Sequence, residues 1–215
     1  MRTFLLIGLG RFGQHVAEKL NDLGHEVMAV DSNEERVNRV LPYVTSAQIG
    51  NSTDEDFLAS LGVDEFDVCI VAIGDSFQNS LETVALLKDL NANYIVARAS
   101  SEVHYKFLLR NGADEAVYPE KQLAAWAAIK CSSSHIDDYF ELEDGYAIME
   151  IVTPQKWVGK SIVDLDIRRR HKITVIGIRR GEKLSVAINA DTVLGASDKL
   201  LVIGEESDIQ KCFKI

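Results

Sequence analysis

Six residues near the start of the chain constrain its fold more than any other stretch: Gly8-Leu9-Gly10-Arg11-Phe12-Gly13. They follow directly on a short apolar run, Thr3 to Ile7. After them come a helix-patterned stretch, a second apolar run from Glu26 to Val30, and Asp31. Strand, glycine turn, helix, strand and acid in that order are the fingerprint of a nucleotide-binding βαβ unit. Gly8 lets the chain turn tightly out of the strand, Gly10 lets a pyrophosphate approach the backbone, and Gly13 lets the helix pack closely. The helix opens with unpaired N–H groups and a positive dipole end, which attract phosphate. Asp31, eighteen residues beyond Gly13, ends the second strand. There its carboxylate can accept both ribose hydroxyls of an adenosine, and it would repel a 2′-phosphate, which disfavours NADP. The alternative, glycines placed for packing alone, leaves the rest of this context unexplained.

The pattern continues downstream. Val44 to Ile49, Asp67 to Ile73, Tyr94 to Ala97 and Glu115 to Tyr118 read as four more strands, alternating with helices. Val68 to Ile73 is nearly all apolar, as a strand buried on both faces of a parallel sheet would be. The fold class expected is α/β, a Rossmann-like doubly wound parallel sheet followed by a small α+β domain. Ligands of such sheets lie at the carboxyl ends of the strands. That places Ser32, the turn Asn51-Ser52-Thr53, the segment Ala72-Ile73-Gly74 and Arg98 among the candidate binding residues, with Phe12 in the glycine turn. Ser52 or Thr53 can instead cap the next helix, and Arg98 can instead make a surface ion pair.

Helix faces follow from spacing. Arg11 to Leu23 is predicted helical with Phe12, Val16, Leu20 and Leu23 inward, and Glu102 to Arg110 with Val103, Phe107 and Leu108 inward. Pro119-Glu120-Lys121 opens a further helix, with Pro favourable in a first turn. Its apolar face (Leu123, Trp126, Ala127 and Ile129) has no further strand of the sheet to cover. Such a face packs on a second domain or another subunit. Cys131-Ser132-Ser133-Ser134 reads as a linker. The domains expected are therefore 1–134, with the helix 120–133 at its end, and 135–215. The second has short alternating segments, one small helix around Ile162 to Arg168, and a last helix beginning at Glu205.

Composition excludes several functions. A net charge of −10 over 215 residues argues against broad nucleic-acid or anionic-membrane binding. The only dense basic run is Arg168-Arg169-Arg170-His171-Lys172, a solvated helix end or an anion site. No apolar stretch approaches the roughly 20 residues needed to cross a bilayer. The glycine motif begins at residue 8, and the three cysteines have neither close pairing nor metal-ligand spacing. These features lead us to expect no leader peptide and a cytoplasmic protein. The five histidines are scattered without an acid partner, and no nucleophile elbow, zincin helix or Walker lysine occurs. A nucleotide-binding domain with no reacting constellation favours a sensor over an enzyme. The rivals are a small NAD-dependent oxidoreductase with an active site shared between subunits, and a redox-sensing repressor.

On these residues the chain resembles the cytosolic regulatory subunits of bacterial potassium-uptake systems of the Ktr/Trk type, built from the domain that regulates potassium conductance. The resemblance rests on Ile7 to Gly13, Val71-Ala72-Ile73-Gly74, Asn111-Gly112-Ala113-Asp114, Pro119-Glu120-Lys121 and Ile162 to Arg168, and covers essentially the whole chain. It implies binding of ATP, ADP or NAD(H) in the N-terminal domain. It also implies dimers assembled into an octameric ring against a separate integral-membrane potassium-translocating subunit, on the inner face of the cell membrane. Arg11 would reach a terminal phosphate, Glu120 would sit beside the nucleotide with a divalent cation (Mg2+ or Ca2+), and the helix from Glu120 would cross between subunits. The C-terminal half resembles a domain that binds cyclic di-AMP at a dimer interface in some relatives, through the region of Ile162, Leu165, Arg168 and Ile173. The last hairpin, Ser185-Val186-Ala187-Ile188-Asn189, departs from the serine-proline stretch of many of those relatives.

Overall fold

The computed structural model describes all residues from Met1 to Ile215. The chain forms two compact units, Met1–Lys121 and Gln122–Ile215. The division falls in the first turn of the long helix at 119–132, ahead of the boundary expected at 134.

The first unit is a six-stranded parallel sheet. Its strands are β1 (Thr3–Ile7), β2 (Glu26–Asp31), β3 (Ser46–Ile49), β4 (Val68–Val71), β5 (Ile95–Arg98) and β6 (Glu115–Val117), in the order β3-β2-β1-β4-β5-β6. Helices α1 (Arg11–Asp22), α2 (Glu34–Val40), α3 (Glu55–Ser60), α4 (Phe77–Asp89) and α5 (Glu102–Arg110) connect them. Strand β1 shows why both faces need covering. Leu5 and Ile7 join a core with Val84 and Leu87 of α4 and Leu108 of α5, while Phe4 and Leu6 join another with Ala17 of α1 and Val37 of α2. A strand with alternate side chains in two apolar layers requires helices on both sides of the sheet. The strand order reverses between β1 and β4, which opens a crevice at their carboxyl ends.

Four local expectations are corrected. Leu23 caps α1 and is 59% exposed, because α1 is one residue shorter than its apolar stripe. Val103 and Phe107 are exposed, and it is His104 that α5 buries with Leu108. Neither Ser52 nor Thr53 caps α3; Asp54 does, accepting the Phe57 N–H at 3.1 Å. The third strand begins at Ser46 rather than Val44, after a 3-10 turn at Leu41–Tyr43 around Pro42.

Helix α6 (Pro119–Ser132) buries no residue within the single chain, and Leu123 is 64% exposed. It runs through Cys131 and Ser132, so the expected linker is shorter than the sequence suggests. The second unit is an antiparallel sheet of β7 (Ile136–Glu141), β8 (Tyr146–Val152), β9 (Thr174–Arg180), β10 (Lys183–Ser185) and β11 (Lys199–Glu205), ordered β10-β9-β11-β8-β7. The helix expected from Ile162 to Arg168 is two pieces, α7 (Ile162–Leu165) and α8 (Ile167–His171). They are separated by Asp166 at φ 44°, a left-handed conformation no α-helix continues through. Helix α9 (Glu206–Phe213) follows β11. Leu165, Ile167, Ile173, Met149, Ile151 and Ile209 are among the core residues of this unit.

Candidate nucleotide-binding site

The crevice of the first unit has a volume of about 1230 Å³, larger than the ~300–1,000 Å³ common for small-molecule sites. The glycine turn forms its floor. Gly8 has φ +93°, and its N–H donates to Val30 O at 2.8 Å. A Cβ on Gly13 would lie 2.0 Å from Gly8 O, so only glycine lets α1 start this close to the turn. Nothing lies within 4 Å of the Cβ position of Gly10, which leaves that backbone open to a ligand. Helices α2, α3, α4 and α5 all carry a side-chain N-cap, from Asn33, Asp54, Ser76 and Ser101. Helix α1 has none, and its first ladder bond is from Gln14 N–H to Gly10 O. Its leading N–H groups thus face the crevice without a protein cap, as a phosphate site requires.

Asp31 lines the crevice and is 7% exposed. Its Oδ2 accepts the Leu9 N–H at 2.7 Å and its Oδ1 the Asn33 N–H at 2.9 Å. The Arg36 guanidinium lies 3.6 Å from Asp31 and 3.7 Å from Asp75. Each carboxylate oxygen retains acceptor capacity beyond these contacts. Asp31 therefore anchors the glycine turn as well as facing the crevice.

Arg98, at the end of β5, pairs with Glu120 at the start of α6, and its Cζ lies 5.8 Å from the Phe12 ring centroid. Its Nε is buried without a partner. Gly74 makes room for this side chain: a Cβ there would fall 1.4 Å from Arg98 Nη1. Desolvation pushes the Glu120 carboxyl up, but its own backbone N–H, the Arg98 hydrogen bond and the charges of Arg98 and Arg11 together hold it below its ordinary 4.5. Arg11 itself is exposed at the mouth of the crevice.

Of the residues expected from sequence, Gly8, Gly10, Arg11, Phe12, Asp31, Ser32, Asn51, Ser52, Ala72, Ile73, Gly74, Arg98 and Glu120 line this one crevice. Gly13 shapes it from behind. Thr53 does not reach it; its hydroxyl donates to Asn51 Oδ1 instead. Ser52 is buried and shares a 2.9 Å hydrogen bond with Thr83 of α4, which ties the β3 turn to that helix. Arg36 and Arg39 of α2 also line the crevice and were not anticipated, although their positions shortly after Asp31 place them near it. In the second candidate group, Leu165 and Ile173 are core residues of the second unit, and Arg168 is exposed on α8. No group of three or more His, Cys, Asp or Glu is placed to hold a metal ion. No helix is long and apolar enough to cross a membrane.

Two family models match the chain, the TrkA-N domain over residues 4–119 and the TrkA-C domain over residues 146–215. Ktr system potassium uptake protein C of Bacillus subtilis is 39% identical over 210 residues, which is 98% of this chain and 95% of the relative. Ktr system potassium uptake protein A of the same organism is 37% identical over the same shares. Among solved structures, the GsuK channel bound to NAD shares the fold with a TM-score of 0.67 at 20% identity, over 96% of this chain; the chain spans only 38% of that channel's length. The six-stranded Rossmann-like unit and the antiparallel unit after it agree with these matches, and the chain belongs to the TrkA-N/TrkA-C family of Ktr system potassium uptake proteins.

Proposed function

We infer that the protein is a regulatory subunit of a potassium-uptake system, and that it changes conformation when an adenine nucleotide, ATP/ADP or NAD(H), occupies the crevice. The observation that carries this reading is the set of groups that line the crevice. A buried carboxylate after β2, an uncapped helix N-terminus behind an open glycine turn, and the cations Arg11 and Arg98 all line it. That set matches the ribose and the phosphates of a nucleotide. The NAD held by GsuK, a channel of the same fold, supports the same class of ligand.

The Arg98–Glu120 pair supplies a mechanism. A nucleotide phosphate would compete with Glu120 for the Arg98 guanidinium, and Glu120 would then be free to meet a divalent cation. Glu120 has no other ligating residues clustered with it, so the cation's remaining ligands would come from phosphate oxygens, water or a second copy of the chain. Glu120 lies in the first turn of α6, the helix that buries nothing in the single chain. A change at Glu120 is thereby passed to the helix that packs on another subunit. Two ligands shift such an equilibrium only through differential contacts. A γ-phosphate is a contact that ATP makes with Arg11 and a cation at Glu120 and that ADP lacks. In this reading the subunits dimerise, the dimers close into an octameric ring, and the ring acts on a membrane-embedded potassium-translocating partner.

The test is a thermal-shift titration of the full chain with ATP, ADP, NAD, NADH and cyclic di-AMP, with and without Mg2+ or Ca2+. A ligand that binds only the folded form raises the midpoint with concentration. Shifts with both ATP and ADP, divalent-dependent for ATP, are expected. The reading fails if no adenine nucleotide moves the midpoint. A shift with NADH alone, accompanied by hydride transfer to a substrate, would replace it with the oxidoreductase reading.

A further inference from the structure

We propose that the second unit carries a separate site for a small amphipathic organic anion, in the cavity between the end of β8 and the end of α9. The cavity has a volume of about 340 Å³, within the range of small-molecule sites. Its apolar lining is Val152 at the end of β8, Pro154 just after it and Phe213 at the end of α9, with the fully buried Ile151 behind them. Three basic residues stand around that lining (Lys156, Lys214 and His135) and no Asp or Glu side chain lines the cavity.

On a chain with net charge −10, a concave surface bearing cations and no side-chain carboxylate is a local inversion. Four other cations of this unit are neutralised by carboxylates. Arg179 pairs with Glu150, Arg180 with Asp198, Lys199 with Asp137 and Lys211 with Asp208. Lys156 has no carboxylate. Its Nζ lies 5.9 Å from the Trp157 ring centroid, and its charge acts on the Cys212 thiol in the cavity wall, opposing the burial that pushes that thiol up to about 11. Lys214 adopts φ 58° and closes α9 through its N–H to Gln210 O, which brings its side chain to the cavity rim. The C-terminus of α9 contributes a partial negative charge here, and the two lysines exceed it.

An apolar lining with cations at the rim selects the class of ligand. A neutral apolar molecule would leave the ammonium groups unpaired, and a bare inorganic anion would leave the apolar lining unused. A short acyl or aromatic body with a carboxylate or phosphate head uses both. The cavity belongs to residues 135–214, and the nucleotide crevice to the first unit, so the two sites are independent in composition.

The experiment titrates the full chain with decanoate, decyl phosphate and decylamine. It is read by calorimetry and by the methyl resonances of Ile151 and Val152, with Ile7 and Val30 of the crevice as internal references. Saturable binding of at least one of the two anions is expected, with shifts at Ile151 and Val152 but not at Ile7 or Val30. Lys156→Glu with Lys214→Glu should weaken that binding roughly tenfold or more, the scale of a lost charge-assisted contact. The carboxylate and phosphate arms separate a free acid from a phosphate ester. A further arm with sedimented phosphatidylglycerol vesicles asks whether the anion is a membrane lipid; retention of the parent but not the double variant on vesicles would identify that source. The proposal is overturned if neither anion saturates, if decylamine binds as well as decanoate, or if the methyl shifts appear in the crevice instead. Because the methyl readout uses the unsubstituted chain, a double variant that fails to fold leaves the test intact.

Discussion

Gly74→Ala and Gly13→Ala add the same methyl group, one inside the crevice and one behind it, and the structure assigns them opposite consequences. At Gly74 the new Cβ would stand 1.4 Å from Arg98 Nη1. Ordinary contact is about 3.4 Å or more, so the guanidinium must withdraw by roughly 2 Å. It lies at the far end of a flexible side chain and can do so. The losses in stability are the Glu120 ion pair, worth about 0–1 kcal/mol where one partner is largely exposed, and a cation–π contact of about 0.5–1 kcal/mol. Replacing Gly at a backbone conformation open to alanine returns about 0.4–1 kcal/mol through the unfolded chain. The fold should therefore be nearly unchanged. The withdrawn Arg98 no longer meets phosphate, however, and a charge-assisted hydrogen bond contributes about 1.5–3 kcal/mol, so nucleotide affinity should fall roughly 10- to 150-fold. At Gly13 the new Cβ meets Gly8 O at 2.0 Å, a backbone atom fixed by its own turn. Overpacking against backbone costs about 1–3 kcal/mol or more, or roughly 3–6 °C of midpoint per kcal/mol for a unit of this size. Ligand-free melting and calorimetric titration with ADP and NAD separate the two. If Gly74→Ala binds both nucleotides as the parent does, Arg98 is not a phosphate ligand. If it also melts several degrees lower, the Arg98–Glu120 pair is structural.

Other consequences can be checked as directly. Arg11→Ala should reduce the preference for ATP over ADP while leaving ADP affinity within a few-fold, measured by calorimetry; an unchanged ratio, with an unchanged ATP-induced change of shape in solution scattering, removes Arg11 from the mechanism. His104 is fully buried, and burial together with the Arg98 charge holds its imidazole below the ordinary 6.5. A histidine lowered in the fold leaves the unfolded chain binding more protons below pH 6.5, so stability is fully present above that value and declines as pH falls toward the folded value. Denaturation midpoints from pH 7.5 to 5 should show this slope in the parent and a flatter one in His104→Leu. Of the three thiols only Cys131 is exposed, while burial pushes Cys69 up to about 12 and Cys212 up to about 11. A thiol-specific chromogenic reagent at neutral pH should therefore count about one fast cysteine in the parent and none in Cys131→Ser; two fast thiols in the parent would contradict the burial described.

What was legible in the sequence was whatever is decided within a few residues. The glycine turn, the position of Asp31 and the strand–helix alternation follow from local sterics and periodicity, and much of the crevice lining was named on those grounds, with Glu120 named through the family resemblance. What escaped was decided elsewhere. Thr53 and Asp54 are both competent caps, and only the path of the chain selects Asp54. Apolar periodicity marks a face as sticky without saying what covers it. Leu23, Val103 and Phe107 were therefore assigned inward yet lie exposed. The exposed cases share a physical meaning with Leu123 and Trp126 of α6. The chain retains more apolar helix surface than either unit can bury, and that surplus is what a subunit of an assembly requires. Asp31 shows the complementary limit. Its position announces a ribose acceptor, but its tie to the Leu9 N–H, 2.7 Å long and buried, is invisible until the turn is folded. Removing that carboxylate would orphan a buried donor as well as a ligand contact. Lost nucleotide binding in an Asp31 variant would therefore not by itself identify a ribose contact, whereas loss in Gly74→Ala, with the fold unmoved, would identify a phosphate contact.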